Sequence, residues 1–289
     1  MRGWLVVNGF LHSNKFSELY AFLQNAAKAE GIELAVKTST QLFSVVDEGM
    51  FSEGEKPDFA LFWDKDYTLA RRLEQAGIPL FNSAEAVRIC DDKTLTAVAL
   101  SGKVKMPKTM IAPKTFEGVG YVDTAFLEVA AKTLGFPMVV KEAFGSFGKQ
   151  VYLVRDFAEL QKRVDGMGYK PFLLQEWIAS SAGRDVRVNV VGEEVFCAML
   201  RENPADFRSN VTGGGVGVAY TPTKAQAVLA IKACKALGLD FAGVDVLFGE
   251  NDQPILCEVN SNPHFKSTLA ATGKDMSVAI LRHIKRKLS

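Results

Sequence analysis

Short apolar runs and helically spaced apolar residues alternate through the first 83 residues. Four runs are predicted strands: 4–7, 33–37, 59–63 and 78–81. Helical spacing is found between them over 16–27 and 67–76. Strands that alternate with helices over short connections are typical of a parallel sheet with helices on its faces. We therefore predict an N-terminal α/β domain over residues 1–83.

From residue 84 onward the pattern contains more short strands. Helical segments are predicted over 84–102, 123–134, 157–164 and 224–237. Predicted strands are 138–141, 150–154, 172–176, 186–191, 194–200, 241–248 and 255–260. A polar loop with three consecutive glycines, 213–215, interrupts the pattern. We predict a central lobe over 84–176 and a C-terminal lobe over 177–289, which makes the chain a mixed α/β (α+β) protein.

The composition is that of an ordinary soluble globular chain, with 48% hydrophobic and 23% charged residues. The formal net charge of +1 gives no overall basic field, so we predict no nucleic-acid partner. The N-terminal apolar run is too short for a signal peptide, and no later segment has the length of a membrane helix. Four cysteines without metal-binding spacing indicate reduced thiols. We therefore expect a cytoplasmic protein without a membrane partner.

Two predicted strands near the end of the chain carry acidic side chains. Asp245 lies inside an apolar run, and Glu258 and Asn260 stand two residues apart at the end of the next run. Alternation along a strand places Glu258 and Asn260 on one face. Two carboxylates and an amide oxygen in apolar surroundings indicate a hard divalent cation such as magnesium. A turn residue and a solvated acid would give the same local pattern.

A lysine and a glycine-containing loop follow an apolar strand of the predicted central lobe. Lys141 ends the strand, and Gly145, Ser146 and Gly148 lie in the loop. Glycines let backbone amides approach phosphate oxygens, and a strand-end lysine supplies a fixed cation. The loop lacks the Gly-Lys-Ser/Thr run of a Walker A motif, and a hairpin turn explains its glycines equally well. Lys93 is a second candidate cation, because acidic residues precede it at a helix start.

The predicted strand 172–176 ends where one lobe passes into the next. Ligand sites are common at such hinges between lobes. Glu176, Trp177 and Ile178 offer backbone groups and apolar surface that suit an adenine ring, and they also suit a plain linker.

Arginine and aspartate side chains are grouped in the C-terminal lobe. Alternation places Asp185 and Arg187 on the same side of their strand, and Arg201 ends the following strand. Arg208 and Asn210 precede the three glycines. Arginine forks suit phosphate or carboxylate, and an asparagine amide can donate to an oxyanion. Ordinary salt bridges would explain any one of these residues alone.

The order of these features along the chain is specific. They stand at 92–93, 140–141, 175–178, 206–210, 242–245 and 258–260. In this order they resemble the ATP-grasp superfamily, and most closely its RimK-type amino-acid ligases. The resemblance covers residues 84–289, and its most discriminating part is Asp-Phe-Arg-Ser-Asn followed by three glycines. Residues 1–83 are compatible with the family's N-terminal α/β domain but have no equally sharp motif.

This resemblance implies an ATP-grasp fold that clamps a nucleotide between the central and C-terminal lobes. It assigns ATP contacts to Lys93, Lys141, Gly145, Ser146, Gly148, Glu176, Trp177, Ile178 and Asp185. It assigns magnesium, with manganese as an alternative, to Asp245, Glu258 and Asn260. It assigns stabilisation of the transferring phosphoryl group and of the acyl-phosphate to Arg201, Arg208 and Asn210.

The implied reaction is an ATP-dependent ligation. A carboxylate attacks the γ-phosphate to give an acyl-phosphate and ADP, and an amine then displaces phosphate to form an amide or peptide bond. Such chemistry depends on positioning and on neutralised phosphate charge, so no nucleophilic serine or cysteine is expected. The implied partners are an amino-acid substrate and a carboxylate acceptor, which is a small molecule, a peptide or a carrier protein. The family also implies a homo-oligomer.

The segment after Asn260 departs from the usual pattern of this branch. Glutamate ligases for ribosomal proteins and cofactors continue with small residues and a Pro-Gly-Leu-like run, whereas this chain continues Ser-Asn-Pro-His-Phe-Lys. The Phe-Lys part is similar to ligases that attach glutamate to a carrier protein in lysine biosynthesis. Candidate substrate contacts are Arg187, His264 and Lys266. A dipeptide or glutathione-like ligase and a catalytically silent ATP-binding regulatory protein are the alternatives.

Overall fold

The N-terminal lobe is built on a four-stranded parallel sheet in the computed structural model, which describes residues 1–46 and 56–289. Its elements are β1 (Arg2–Val7), α1 (Asn14–Ala29), β2 (Glu33–Thr38), β3 (Phe59–Trp63), α2 (Tyr67–Gln75) and β4 (Leu80–Phe81). The strand order is β2-β1-β3-β4, and each pairing is parallel. β3 is buried along its whole length, as expected for a parallel strand covered on both faces. The predicted parallel sheet is therefore confirmed.

The helical segment predicted over 84–102 forms two helices, α3 (Ala84–Asp91) and α4 (Lys93–Leu100). Asp92 separates them with extended backbone angles, φ −103° and ψ 111°. Its carboxylate accepts hydrogen bonds from the amides of Thr94 at 2.7 Å and Leu95 at 3.3 Å. The predicted helical segment therefore divides at Asp92, and this agrees with the prediction that the acidic residues before Lys93 stand at a helix start. The cap places Lys93 at the first position of α4.

The central lobe contains a four-stranded antiparallel sheet and two helices. Its elements are β5 (Thr109–Ile111), α5 (Ala125–Leu134), β6 (Met138–Glu142), β7 (Val151–Val154), α6 (Phe157–Asp165) and β8 (Phe172–Glu176). The strand order is β5-β8-β6-β7. Leu127, Leu160 and Phe172 belong to a hydrophobic core drawn from this lobe.

A five-stranded antiparallel sheet forms the C-terminal lobe. Its elements are β9 (Arg184–Val191), β10 (Glu194–Glu202), β11 (Val216–Tyr220), α7 (Lys224–Leu237), β12 (Phe241–Phe248), β13 (Pro254–Asn260), α8 (Lys266–Thr272) and α9 (Met276–Leu288). The strand order is β11-β10-β9-β12-β13. β11 was not predicted, because this edge strand is largely exposed and lacks a regular buried face. Across the two described ranges, no helix has both the length and the apolar character to cross a membrane.

One hydrophobic core joins the N-terminal and C-terminal lobes. Leu19 of α1 and Trp63 of β3 belong to the same cluster as Phe241 of β12 and Ile280 of α9. The rings of Trp63 and Phe241 are stacked with 5.5 Å between their centroids. Helices α3 and α4 also contribute to the C-terminal core, through residues such as Leu100. The core of the central lobe is separate from both.

Asn82 links the end of β4 to the C-terminal sheet and is fully buried. Its amide group donates to the carbonyl oxygens of Phe241 at 3.0 Å and Ser261 at 2.8 Å. Its Oδ1 accepts from the amide of Asp240 at 2.6 Å. We expect Asn82→Ala to lower the free energy of unfolding by about 3 kcal/mol, because several buried backbone groups lose their partners. Urea unfolding measures this change.

Asn14→Ala is the matched control for Asn82→Ala, because Asn14 is exposed at the start of α1. Its urea midpoint should stay close to that of the unaltered protein. Equal midpoints for the two variants would show that Asn82 does not hold the lobes together.

Candidate active site

Two neighbouring clefts lie between the lobes. The larger one, here called the chamber, has a volume of about 620 Å³ and reaches the N-terminal lobe. The smaller one, here called the narrow cleft, has a volume of about 90 Å³ and lies between the central and C-terminal sheets. Arg201, Asn210, Asp245 and Glu258 line both. These four residues therefore lie where the narrow cleft and the chamber adjoin, a position here called the passage.

The narrow cleft is bounded by the segment that leaves β8. Glu176, Trp177 and Ile178 line it, as do Asp185 of β9 and Arg208. Oε1 of Glu176 accepts a hydrogen bond at 2.7 Å from the Lys108 amide. The Trp177 ring meets Phe207 edge to face, with 5.8 Å between centroids. The three predicted hinge residues therefore combine an apolar surface with main-chain polar groups beside one cleft.

Lys141 lies on β6 with only 6% of its surface exposed, and it lines the narrow cleft. Its ammonium group lies 3.7 Å from Sγ of Cys257 and, within residues 1–46 and 56–289, forms no ion pair. Burial raises the pKa of the Cys257 thiol to about 11, against the opposing effect of Lys141. A neutral thiol is a weak acceptor, so the buried ammonium is poorly compensated by the protein. This environment suits an anionic ligand.

Lys93 lines the chamber beside the glycine loop. Its Nζ donates to the carbonyl oxygen of Gly145 at 3.2 Å. Burial lowers the pKa of its ammonium group, and the nearby Lys141 and Lys65 lower it further, whereas Glu258 raises it. Mutual repulsion among three ammonium groups would be relieved by a bound anion. Lys65 follows no motif, so the sequence did not indicate it.

The glycine loop connects β6 to β7, so it is both a hairpin connection and part of the chamber wall. Gly148 has φ +72°, and a Cβ there would lie 2.6 Å from Oδ1 of Asn210. Its carbonyl oxygen accepts a hydrogen bond at 2.9 Å from Arg208. Gly145 has φ +135°, and a Cβ there would lie 2.3 Å from the Gln150 side chain. A side chain at either position would therefore require the neighbouring wall to move.

Two arginines and two aspartates form a buried ion-pair network at the passage. Arg201 donates to Asp185 at 2.7 Å and lies 3.0 Å from Asp245. Arg187 donates to both carboxylate oxygens of Asp245, with one distance of 2.9 Å. Burial alone would raise the pKa of Asp245, but Arg187 and Arg201 lower it below its ordinary value. Asp245 is therefore ionised, and the positive charges of Arg187 and Arg201 balance its negative charge.

The predicted metal ligands lie together on two paired strands. Asp245 of β12 and Glu258 of β13 are directly opposite in the ladder, and Asn260 also lines the chamber. Their carboxylate and amide oxygens are the ligand types that magnesium prefers. Among the residues that the structure describes, no three His, Cys, Asp or Glu side chains form a metal-binding group. The oxygen donors available for magnesium are therefore two carboxylates and one amide. One of these carboxylates, that of Asp245, already accepts hydrogen bonds from two arginines.

The three candidate substrate residues have different surroundings. Arg187 and His264 line the chamber, whereas Lys266 forms an ion pair with Glu18 of α1. Burial lowers the pKa of His264 to about 4, and the positive charge of Lys15 contributes in the same direction. The imidazole is therefore neutral at pH 7. The structure brings Arg187 and His264 together and places Lys266 outside the chamber lining in the described chain.

The N-terminal lobe supplies chamber residues that the sequence analysis missed. Asn8 follows β1 and Asp64 follows β3, and both line the chamber with Lys15 of α1. Ligand sites in parallel sheets lie beyond the carboxyl ends of the strands. This rule, applied to the predicted strands, would have indicated Asn8 and Asp64.

The sequence of residues 90–284 matches the family model of the RimK-like ATP-grasp domain. The chain belongs to the RimK-like ATP-grasp family. The resemblance deduced from the motif order is therefore confirmed. The match begins close to α4 and includes the whole of the central sheet and the C-terminal sheet.

Two curated relatives show how far the similarity extends. An uncharacterized protein of Mycoplasma pneumoniae, the MG012 homolog, is 32% identical over 266 residues, which are 91% of each chain. Human N-acetylaspartylglutamate synthase A is 36% identical over 205 residues, which are 70% of this chain and 51% of the synthase. This chain thus spans about half the length of the human enzyme.

Solved structures share the fold over nearly the whole chain. D-alanine–D-alanine ligase from Bacillus anthracis, complexed with ATP, has a TM-score of 0.75 and 20% identity, and the match covers 100% of this chain and 97% of that one. The ATP-grasp ligase PsnB, complexed with a precursor variant, Mg and ADP, has a TM-score of 0.73 and 18% identity, with coverage of 99% and 98%. The predicted ATP-grasp fold is confirmed, and the two neighbours were solved with ATP and with Mg and ADP, respectively.

Proposed function

We propose that this protein is an ATP-dependent carboxylate–amine ligase that forms an amide bond through an acyl-phosphate. The observation that carries the proposal is that the narrow cleft and the chamber are neighbours that share Arg201, Asn210, Asp245 and Glu258 in their walls. A nucleotide with its base at the hinge would bring its terminal phosphate to this passage. A carboxylate in the chamber would then be next to the phosphoryl group that it attacks.

The nucleotide contacts are proposed on the basis of position and charge. Glu176, Trp177 and Ile178 would hold the adenine, and Asp185 is the candidate for the ribose. The phosphates would be contacted by Lys93, Lys141, Gly145, Ser146 and Gly148. Asp185 also orients Arg201 through its hydrogen bond of 2.7 Å. A fixed orientation suits a guanidinium that stabilises the negative charge developing on the phosphoryl group during transfer.

Magnesium, or manganese in its place, would be held by Asp245, Glu258 and Asn260. When bound, such an ion neutralises negative charge on the phosphates. Arg201, Arg208 and Asn210 would stabilise the phosphoryl group during transfer. Arg208 is held for this role by Asp206, with hydrogen bonds of 2.8 and 2.9 Å, and by the Gly148 carbonyl oxygen.

The reaction has two balanced steps. A carboxylate oxygen of the first substrate bonds to the γ-phosphorus, and the bond from that phosphorus to the ADP oxygen breaks. The nitrogen of the amine substrate then bonds to the acyl carbon, inorganic phosphate leaves, and the nitrogen loses a proton. The side chains at the passage hold the reactants and offset phosphate charge, and none forms a covalent bond with substrate.

The substrate class is proposed from the relatives' names. The human relative is named for the synthesis of N-acetylaspartylglutamate, which joins an acyl group to the amine of glutamate. We therefore propose an amino acid such as glutamate as the amine, and a small molecule, peptide or carrier protein as the carboxylate. Cytoplasmic location, a homo-oligomeric state and the absence of nucleic-acid and membrane partners stay predictions.

The function is tested by incubating the protein with magnesium and ATP and with pairs of amino acids and carboxylates. The panel includes glutamate with N-acetylaspartate and with carrier proteins. We expect ADP formation that requires both partners, and a product whose mass is the sum of the two less one water. Manganese should replace magnesium at least in part. Phosphate release and mass spectrometry are the measurements.

Two other results would each select a different function. ATP binding without ADP formation for any pair would indicate the catalytically silent regulatory protein. Products made only from two free amino acids would indicate a dipeptide-type ligase. Omission of either substrate is the internal control. ADP that forms in the presence of only one substrate reports ATP hydrolysis without ligation.

A further inference from the structure

Lys15 of α1 presents a positive charge to the chamber from the N-terminal lobe. The residue lines the chamber and is partly exposed, so its ammonium group is accessible to a ligand there. Its Nζ lies over the ring of Phe147 in the glycine loop, 3.7 Å from the ring centroid. A cation–π contact attracts an ammonium group but supplies no counter-charge. The contact therefore holds Lys15 at the chamber wall without neutralising it.

The described part of the chain offers Lys15 no carboxylate partner. Among the residues that the structure describes, it forms no ion pair, and both burial and the positive charge of Lys266 lower the pKa of its ammonium group. Glu18, the acidic residue of α1, pairs with Lys266. Asp64 of the chamber wall directs one carboxylate oxygen to the amide of Lys65 at 2.7 Å. The ammonium group of Lys15 therefore lacks a nearby negative charge.

The other cations of the chamber wall already have a partner or a proposed role. Those that form ion pairs with aspartates are Lys65, Arg187 and Arg201. Lys93 donates to the glycine loop at 3.2 Å and is proposed to contact the phosphates. Lys15 has neither an ion pair within residues 1–46 and 56–289 nor a place among the proposed nucleotide contacts.

The surroundings of Lys15 favour an anion. Burial lowers the pKa of the nearby His264 to about 4, and the positive charge of Lys15 contributes in the same direction. The imidazole is therefore neutral at pH 7 and brings no charge of either sign to this part of the chamber. A carboxylate bound at Lys15 would supply the missing counter-charge and would form charge-assisted hydrogen bonds with the ammonium group.

The chamber has room for a ligand that extends between Lys15 and the passage. Its volume of about 620 Å³ is that of a site for a small molecule. Its wall includes Lys15 on the N-terminal side and Arg201 and Asn210 at the passage. A substrate that reacts at the passage therefore has space to direct a second charged group towards Lys15.

We propose that Lys15 binds a substrate carboxylate that takes no part in the reaction. The assignment rests on the proposed ligase function and deepens it, because at least one substrate must then carry a carboxylate besides its reacting group. This carboxylate belongs either to the amine substrate or to the carboxylate substrate. In both cases Lys15 gives the enzyme a preference for an acid over the corresponding amide.

Amidation of single carboxylates tests the proposal. The substrate pair that turns over is taken from the screen for ADP formation, and each substrate is replaced in turn by its monoamides. For glutamate these are glutamine and isoglutamine, and N-acetylaspartate likewise has two. An amide has nearly the shape of a carboxylate but no charge. The measured quantity is the ratio of kcat/KM for the acid to kcat/KM for each amide that still reacts.

In the unaltered protein, we expect one reactive amide to have a kcat/KM at least about tenfold below that of its acid, because a charge-assisted hydrogen bond is missing. Lys15→Met should reduce this ratio to about one, mainly through a higher KM for the acid, because the contact is present before and during the reaction. Lys15→Arg keeps the charge and should retain most of the ratio. The substrate whose ratio falls in Lys15→Met is the one that carries the bound carboxylate.

Lys28→Met is the matched control for Lys15→Met. It removes an exposed lysine near the other end of the same helix, outside the chamber lining. Its ratios and its KM values should equal those of the unaltered protein. Equal changes in the two variants would show an effect of net charge, which would overturn the site at Lys15.

The outcomes separate this proposal from the proposed function. Unchanged ratios in Lys15→Met would overturn the carboxylate site and leave the ligase function intact. Equal losses for acids and amides, or a higher KM for ATP with unchanged ratios, would also overturn it, since Lys15 would then act on the whole site or on the nucleotide. A reacting pair without any second carboxylate would do the same. If no pair is ligated, the ligase function itself is wrong.

Discussion

Replacing Lys141 by Met is expected to reduce ADP formation about 100- to 1000-fold, the scale of loss when one group that stabilises transferring charge is removed. The ammonium group is almost fully buried on β6 and has only the thiol of Cys257 as a close polar partner among the described residues. Met has a similar length and no charge to desolvate, so the fold should tolerate it. The rate of ADP formation at saturating substrates is the measurement.

Lys149→Met is the matched control for Lys141→Met. Lys149 stands in the same glycine loop, but it is exposed and lines neither the chamber nor the narrow cleft. We expect its rate of ADP formation to stay within twofold of the unaltered protein. Retention of more than one third of the activity by Lys141→Met would contradict the assignment of Lys141 to the phosphates.

The second large effect is expected in stability, from Asp245→Asn. This substitution should lower the free energy of unfolding by about 3–5 kcal/mol, because Arg187 and Arg201 stay buried and lose their shared counter-charge. Asp245 is only 4% exposed, so solvent screens the network little. Urea unfolding at pH 7 measures the change.

The contribution of Asp245 to the stability of the fold should decrease in acid. Its pKa in the folded protein is lowered by Arg187 and Arg201. A carboxyl group with a lowered pKa stabilises the fold fully above its unfolded pKa of about 3.9, and this stabilisation is lost as the pH falls through the folded value. The stability difference between the unaltered protein and Asp245→Asn should therefore be constant near neutrality and should narrow in acid.

Glu258→Gln separates the two roles assigned to the carboxylates, which are stabilisation of the fold through the arginine network and binding of magnesium. Glu258 faces Asp245 across the β12–β13 ladder but takes no part in the arginine network. We expect its loss to change the urea midpoint far less than Asp245→Asn and to weaken the dependence of ATP turnover on magnesium. Identical midpoints for Asp245→Asn and the unaltered protein would show that the network does not stabilise the fold.

Local pattern was enough to predict most of the elements that carry the site. The bounds of β8, α7 and β12 agree with the predicted segments, because each is an apolar run or a helical spacing with a clear end. The order of the motifs along them predicted the ATP-grasp fold, which the family match confirms. Roles of individual residues stay proposals.

Features that depend on packing between distant segments were not predicted. Asp185 and Arg187 were expected on one side of their strand, but the sequence gives no indication that Arg201 bridges Asp185 and Asp245. Asp64 comes from the other lobe and meets Asn262 only in the folded chain. The contact between Asp64 and Asn262 joins residues 198 positions apart, and no local periodicity records it.

The separate core of the central lobe has a mechanical consequence. Because one hydrophobic core runs through the N-terminal and C-terminal lobes, we expect these two lobes to move together, and both contribute to the chamber wall. The lobe with Lys141 and the glycine loop is a second body, connected to the first by the chain on either side of it. Rotation of this second body would widen the narrow cleft, since residues of β6 and β8 line one side of it. The parts of the chamber wall that the N-terminal and C-terminal lobes supply would keep their mutual distances during such a rotation.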